Sequence, residues 1–202
     1  MLLYYVDLFG TAVFALSGVL VAARKQMDFV GVVVLAAAVA IGGGTLRDLI
    51  LGVDTVFWVA DNLYLYVTFF AAVIGVIFLK IFDHLDRRLL LPVCDAIGVA
   101  VFLGIGLTKS LAYGTSDLVA IILGTVTAVG GGMLRDLLAR EIPFVLKKEI
   151  YATACVIGGV VMVSALHLGL SDTLSLLLGM GVTLAIRLIS IFYSLRLPEF
   201  RL

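Results

Sequence analysis

The sequence predicts an all-α polytopic membrane protein: seven transmembrane helices arranged as two inverted three-helix repeats plus a seventh helix, N-terminus outside and C-terminus cytoplasmic. Three observations predict it. Of 202 residues, 63% are hydrophobic and 14% charged, and the mean hydropathy of +1.23 exceeds what a soluble domain buries. Apolar stretches of about 20 residues, the length that crosses a bilayer, follow one another with short polar breaks. The chain also repeats itself without gaps at an offset of 88 residues.

The spans run Leu3 to Ala22, Phe29 to Leu51, Leu63 to Phe82, Leu91 to Leu111, Leu118 to Ala139, Ile150 to Leu168 and Leu174 to Ser194. The first lacks a charged n-region and contains Asp7, so it reads as a retained span, not a signal peptide. Together they make one membrane domain over 1–202, with repeat 1 at about 1–84, repeat 2 at about 89–172 and the added helix at about 173–195.

The repeat rests on particular residues. Asp7, Gly10, Phe14 and Gly18 align with Asp95, Gly98, Phe102 and Gly106, and Gly42-Gly43-Gly44-Thr45-Leu46-Arg47-Asp48-Leu49 with Gly130-Gly131-Gly132-Met133-Leu134-Arg135-Asp136-Leu137. A unit of three spans is odd, so its second copy enters from the opposite side. Net charge is zero, and the placement of the cations sets the topology. Arg24, Lys25, Lys80, Arg87, Arg88, Arg140, Lys147, Lys148, Arg196 and Arg201 fall on one side, with essentially Lys109 on the other. The positive side is cytoplasmic. These basic loops read as topology signals, not as nucleic-acid sites.

From Phe29 to Ile41 the second span has 13 residues, about 20 Å at about 1.5 Å each, too short to cross hydrocarbon. Its triglycine therefore lies inside the membrane. Each glycine costs a helix up to about 1 kcal/mol relative to alanine, so the two triads read as mid-membrane bends or unwound stretches with exposed carbonyls. Close helix packing is the alternative. Inverted repeats with broken helices mark proteins that conduct or carry solutes.

Ionisable groups at that depth are functional candidates. Neighbours on a helix point about 100° apart, so Arg47 and Asp48 are not expected to share one partner. Depth in the membrane suggests the structural ion pairs Asp7 with Arg47 and Asp95 with Arg135, the alternative being that Asp7 and Asp95 only complement helix dipoles. Asp48 and Asp136 are then free to face water, and the ion path is expected to comprise Gly42, Gly43, Gly44, Thr45, Asp48, Thr125, Thr127, Gly130, Gly131, Gly132 and Asp136.

The remaining residues have plainer readings. Trp58, Tyr64 and Tyr66 are interfacial anchors, Pro92 and Pro143 suit helix entries or loops, and Lys109 snorkels. His84 reads as solvated and His167 as near a helix end. Lys147 and Lys148 are topology determinants or contacts for anionic lipid. Cys94 and Cys155 read as reduced core residues without metal-ligand companions. No nucleotide-binding motif, catalytic constellation, cofactor or metal site is expected, so the protein reads as a non-enzyme.

The two Gly-Gly-Gly-x-Leu-Arg-Asp motifs, set in a three-plus-three-plus-one plan, resemble the prokaryotic branch of the trimeric intracellular cation (TRIC) channel family. That branch is related to small bacterial membrane proteins labelled glycine transporters (UPF0126). The resemblance covers nearly the whole chain. It implies a homotrimer in which each protomer has its own pore for potassium and sodium, lined mainly by the second and fifth spans. Animal members carry Lys-Glu-Val near the second-helix bend where this chain has Thr45-Leu46-Arg47-Asp48, so their gating and phosphoinositide details are not carried over. Three functions are weighed: a passive cation channel, a secondary carrier of a small zwitterion such as glycine, and a non-conducting helical scaffold, which explains the hydrophobicity but not the matched breaks.

Overall fold

The computed structural model of the chain describes residues 1–81, 87–147 and 150–195, without the side chains of residues 2, 80, 81, 87 and 88. His84, Lys148, Arg196 and Arg201, and the side chains of Lys80, Arg87 and Arg88, lie outside the described residues.

The elements follow the apolar runs. They are α1 (Leu2–Arg24), α2 (Phe29–Leu51), α3 (Phe57–Ala60), α4 (Leu63–Ile81), α5 (Arg87–Ala112), α6 (Asp117–Leu138), a 3-10 turn (Phe144–Leu146), α7 (Ala152–His167) and α8 (Asp172–Phe192). Within the described residues, α1, α2, α5, α6 and α8 are long and apolar enough to cross a membrane, and α4 and α7 are shorter apolar helices. Local chemistry sets the ends. Asp28 caps α2 by accepting the Gly31 N–H at 2.7 Å, and Gly52 closes it in the left-handed region at φ 67°. Pro92, expected at a helix entry, lies inside α5, which begins at Arg87.

Large apolar side chains point outward: Val30, Val34, Ile74, Leu118, Ile122 and Val160 are exposed, as suits a surface whose solvent is lipid. Inside, small residues let backbones approach. A Cβ on Gly10 would meet Val101, and one on Gly98 would meet the ring of Phe14. The Phe14 and Phe102 rings lie 5.0 Å apart. A Cβ on Gly10 would also come within 3.5 Å of the Phe102 ring, and this contact and that of Gly98 with Phe14 exchange under the 88-residue offset, so α1 and α5 cross about a local two-fold.

The α2–α6 crossing has the same property. A Cβ on Gly43 would collide with the carbonyl of Thr127, and one on Gly131 with the carbonyl of Val39. Gly42 faces Leu134, and Gly130 faces Leu46. Here the expected interruption is corrected: α2 and α6 run as continuous helices through 42–44 and 130–132. An unwound turn would leave backbone groups unpaired at several kcal/mol each. Packing glycine against facing backbone keeps every helical bond and places the two helices in contact.

Candidate functional site: two repeat-related charge clusters

The Arg-Asp pair that follows each triglycine seeds a cluster. In the first, at the end where α1 begins and α2 ends, Arg47 Nε and Nη2 both lie 2.8 Å from Asp48 Oδ1. A guanidinium is long enough to curl back onto its neighbour, so Arg47 and Asp48 pair with each other, and both also meet Phe57, against the expectation that they would not share one partner. Asp48 Oδ2 accepts the N–H of Phe57 at 3.0 Å, and Lys109 Nζ sits 2.9 Å from Oδ1 and 3.0 Å from Oδ2. The Phe57 ring lies 5.7 Å from the Arg47 guanidinium and 6.0 Å from the Lys109 ammonium, in cation–π range. It also meets Tyr64 edge-on at 4.7 Å. The Tyr64 hydroxyl donates to Asp7 Oδ2 at 2.8 Å.

The second cluster, where α5 begins and α6 ends, repeats the plan. Arg135 Nε donates to Asp136 Oδ1 at 2.8 Å, and Asp136 Oδ2 accepts the N–H of Phe144 at 3.0 Å. The Phe144 ring lies 5.1 Å from the guanidinium and 4.6 Å from Lys147 Nζ. Arg135 Nη1 donates to Asp95 Oδ1 at 2.9 Å and to Ser17 Oγ at 3.1 Å. Arg187 from α8 adds a second guanidinium, its Nη2 3.7 Å from Asp95 Oδ2.

Several expectations change at this point. Asp95 and Arg135 meet directly, whereas Asp7 and Arg47 do not pair, because Tyr64 takes the first and Asp48 the second. Asp48 and Asp136 do not face water: they are 0% and 2% exposed and hold cations and backbone amides. Lys109 does not snorkel, since its ammonium is held by Asp48. Tyr64 and Trp58 are not simple interfacial anchors, as the Trp58 indole donates to Thr45 Oγ1 at 3.0 Å. Thr45, Thr125 and Thr127 each donate to the carbonyl four residues back, and Thr127 is buried. His167, near the end of α7, lies 2.7 Å from Asp117. Cys155 is buried and Cys94 half-buried, both free thiols.

Two cavities are notable. One of about 270 Å³ is lined by Leu16, Val19, Ile74, Gly75, Phe78 and Cys94 among others. The other, of about 230 Å³, lies among Thr108, Leu111, Met162, Leu166 and Asp172. Neither is lined by the triglycines, Asp48 or Asp136.

Outside the spans, Lys25 Nζ and Glu141 Oε1 meet at 2.9 Å. The hydrogen bond from Lys25 holds the Glu141 carboxyl below the usual carboxylate range.

The family model described as "Glycine transporter" matches residues 4–80 and again 92–167. A UPF0126 membrane protein of Vibrio cholerae is 52% identical over 204 residues, covering 100% of this chain and 84% of that protein. The UPF0126 inner membrane protein YadS of Escherichia coli K12 is 46% identical over 203 residues, covering 100% and 98%. Among solved structures, the TRIC trimeric intracellular cation channel orthologue from Rhodobacter sphaeroides superposes with a TM-score of 0.89 at 37% identity, over 96% of this chain and 99% of that one. With its membrane-length helices, the chain is a multi-pass integral membrane protein. It belongs to the glycine transporter (UPF0126) family of bacterial membrane proteins and has the fold of the prokaryotic TRIC channels.

Proposed function

We propose that the protein is a passive channel for monovalent cations, potassium and also sodium, with a path inside each protomer of a homotrimer along α2 and α6. The observation that carries this reading is the near-complete superposition on a cation channel at 37% identity. In the proposed topology the two inverted repeats plus α8 supply seven crossing helices, α1, α2, α4, α5, α6, α7 and α8. The N-terminus is outside and the C-terminus cytoplasmic, which puts Arg24, Lys25, Arg140 and Lys147 inside. Lys147, exposed beside Phe144, is positioned to meet anionic headgroups, and Lys148 follows it in sequence.

The contacts suggest how conduction is controlled. Lys109 occupies both oxygens of Asp48, so a mobile cation reaches that carboxylate only when the ammonium leaves. The α2–α6 crossing meets backbone to backbone at Gly43 and Gly131, so no side chain has to be withdrawn at those two positions for the helices to part. Parting them would expose the triglycines, Thr45, Thr125, Thr127, Asp48 and Asp136 to a common path, in which the hydroxyl and carboxylate oxygens suit a cation.

A carrier for a small zwitterion such as glycine is the second reading, favoured by the description of the matching family model. Purified protein in a planar bilayer under a potassium gradient separates the two. Unitary currents faster than any carrier turnover support the channel, whereas silent bilayers with saturable glycine uptake into liposomes overturn it.

A further inference from the structure

The buried face of α8 shows that this helix is more than an addition to the two repeats. Ser175, Gly179, Thr183, Arg187 and Ser190 recur every three or four residues and are all buried, while Leu174, Leu177, Leu178 and Ile189 on the same helix are exposed. A helix that only filled space would have no reason to turn a polar stripe inward, and an arginine at such a position marks function. Arg187 is 0% exposed. Its Nη1 donates to the Ile150 carbonyl at 3.1 Å, its guanidinium stacks 4.2 Å from the centre of the Tyr151 ring, and its Nη2 lies 3.7 Å from Asp95 Oδ2.

The charge balance gives those contacts a purpose. The buried part of the second cluster holds two carboxylates, Asp95 and Asp136, and two guanidiniums, Arg135 and Arg187, while Lys147, which lies against Phe144, is exposed. The first holds Asp7 and Asp48 against Arg47 and Lys109. In each, one cation belongs to the Arg-Asp motif of its own repeat and the other arrives from a helix beyond that repeat: Lys109 from α5, Arg187 from α8. The α5 helix packs on α1, and α8 packs on α5. Thus α8 stands to the second repeat as α5 stands to the first.

We propose that Arg187 is a tethered cation filling a monovalent-cation site formed by Asp95 Oδ2, the Ile150 carbonyl oxygen and the face of Tyr151. Each of these groups attracts a potassium ion as well as a guanidinium, the oxygens by coordination and the ring by its quadrupole. Without the Arg187 charge the cluster keeps two carboxylates against one guanidinium, and a soluble cation restores neutrality. The inference deepens the reading of the protein as a cation conductor and rests on it only in naming potassium, since Arg187 neutralises the buried cluster without a mobile cation. It does not depend on whether transport is passive.

The test is thermal melting of purified full-length protein in detergent, with about 0.15 M potassium chloride compared with N-methylglucamine chloride at the same ionic strength. Arg187→Gln is expected to gain at least about 3 °C more from potassium than the wild type does, the size expected when a weakly bound cation stabilises the folded state. Arg187→Lys should behave as the wild type, and Asp95→Asn/Arg187→Gln should show no gain. A folded Arg187→Gln protein without the potassium-dependent gain overturns the proposal, as does a gain that persists in the double variant. Where Arg187→Gln alone does not fold, recovery by the double variant supports charge compensation, and failure of both makes Arg187 a packing residue and overturns the proposal. Silent wild-type bilayers would remove the channel reading and leave this melting difference intact.

Discussion

Gly43→Ala tests the backbone crossing of α2 and α6. The added methyl would land on the Thr127 carbonyl oxygen, 3.1 Å from its carbonyl carbon and 3.2 Å from the Gly131 nitrogen. These are backbone atoms that cannot rotate away, so α2 and α6 must separate by about an ångström to restore ordinary contact. Overpacking of this kind costs about 1–3 kcal/mol, and the better helix propensity of alanine returns up to about 1 kcal/mol. The net loss of about 1–2 kcal/mol corresponds to a melting temperature about 2–8 °C lower in detergent. Gly181→Ala is the control, because nothing lies within 4 Å of its Cβ position and the same propensity gain goes unopposed. The Gly43→Ala/Gly131→Ala double variant should lose less than the sum of its parts, since one separation relieves both contacts. In bilayers Gly43→Ala is expected to raise the open fraction. If Gly43→Ala melts at or above Gly181→Ala, the contact is not what holds the helices together and the reasoning fails.

Arg135→Gln leaves Asp95 and Asp136 with Arg187 as their one buried cation, and breaking a buried pair costs about 3–5 kcal/mol. The expected outcome is loss of monodisperse protein on size-exclusion chromatography, and a normal yield would show that the second cluster is dispensable. Lys109→Gln removes the ammonium from Asp48, leaving Arg47 on Oδ1 and the Phe57 N–H on Oδ2, at a site where the lysine is already 27% exposed. Potassium conductance should rise while the melting temperature falls by a few degrees, and unchanged currents would refute the role of the ammonium. For Lys25 and Glu141 the sign follows from the depressed Glu141 carboxyl. The pair's stabilisation is fully present above the ordinary carboxylate value of about 4.3 and fades as pH falls through the lower folded value. With side chains 35% and 38% exposed, it is worth less than about 1 kcal/mol. Lys25→Gln should flatten that acid-side decline by about 2 °C or less, and a larger change would mean the loop does more than the geometry indicates.

The offset of 88 residues made the paired Arg-Asp motifs legible, because glycine, arginine and aspartate are rare enough in apolar sequence to stand out. It did not reveal Phe57 with Phe144 or Tyr64 with Tyr151. From Asp48 to Phe57 is nine residues, but from Asp136 to Phe144 only eight, so the register slips to 87 once the chain leaves the helix. Both tyrosines lie seven residues after their phenylalanines, a spacing that would have exposed the match if each copy had been aligned anew beyond the motif. Lys109 and Arg187 carried no such signal. They come from helices outside the repeat they complete, and only the tertiary packing brings them to Asp48 and Asp95. The continuity of α2 and α6 was hidden for another reason: glycine's helix penalty is a local quantity, whereas the cost of unpaired backbone in hydrocarbon is set by the surroundings.

Two clusters that share an aligned Arg-Asp motif and an aligned aspartate, each completed by a cation from another helix, are still unequal in what they permit. At 4 Å a pair of unit charges gains about 4 kcal/mol at an effective dielectric constant of about 20, and about 1 kcal/mol in water. Lys109 is 27% exposed, so water can replace part of what its ammonium loses on leaving Asp48. Asp95, Arg135 and Arg187 are 0% exposed, and the guanidinium of Arg187 is held by a carbonyl and a ring as well as a carboxylate. Removing it strands a charge with no solvent to receive it. On the proposed channel reading, exchange between a tethered and a mobile cation is therefore expected at the first cluster before the second, so that two copies of one motif would give a movable end and a more firmly held end.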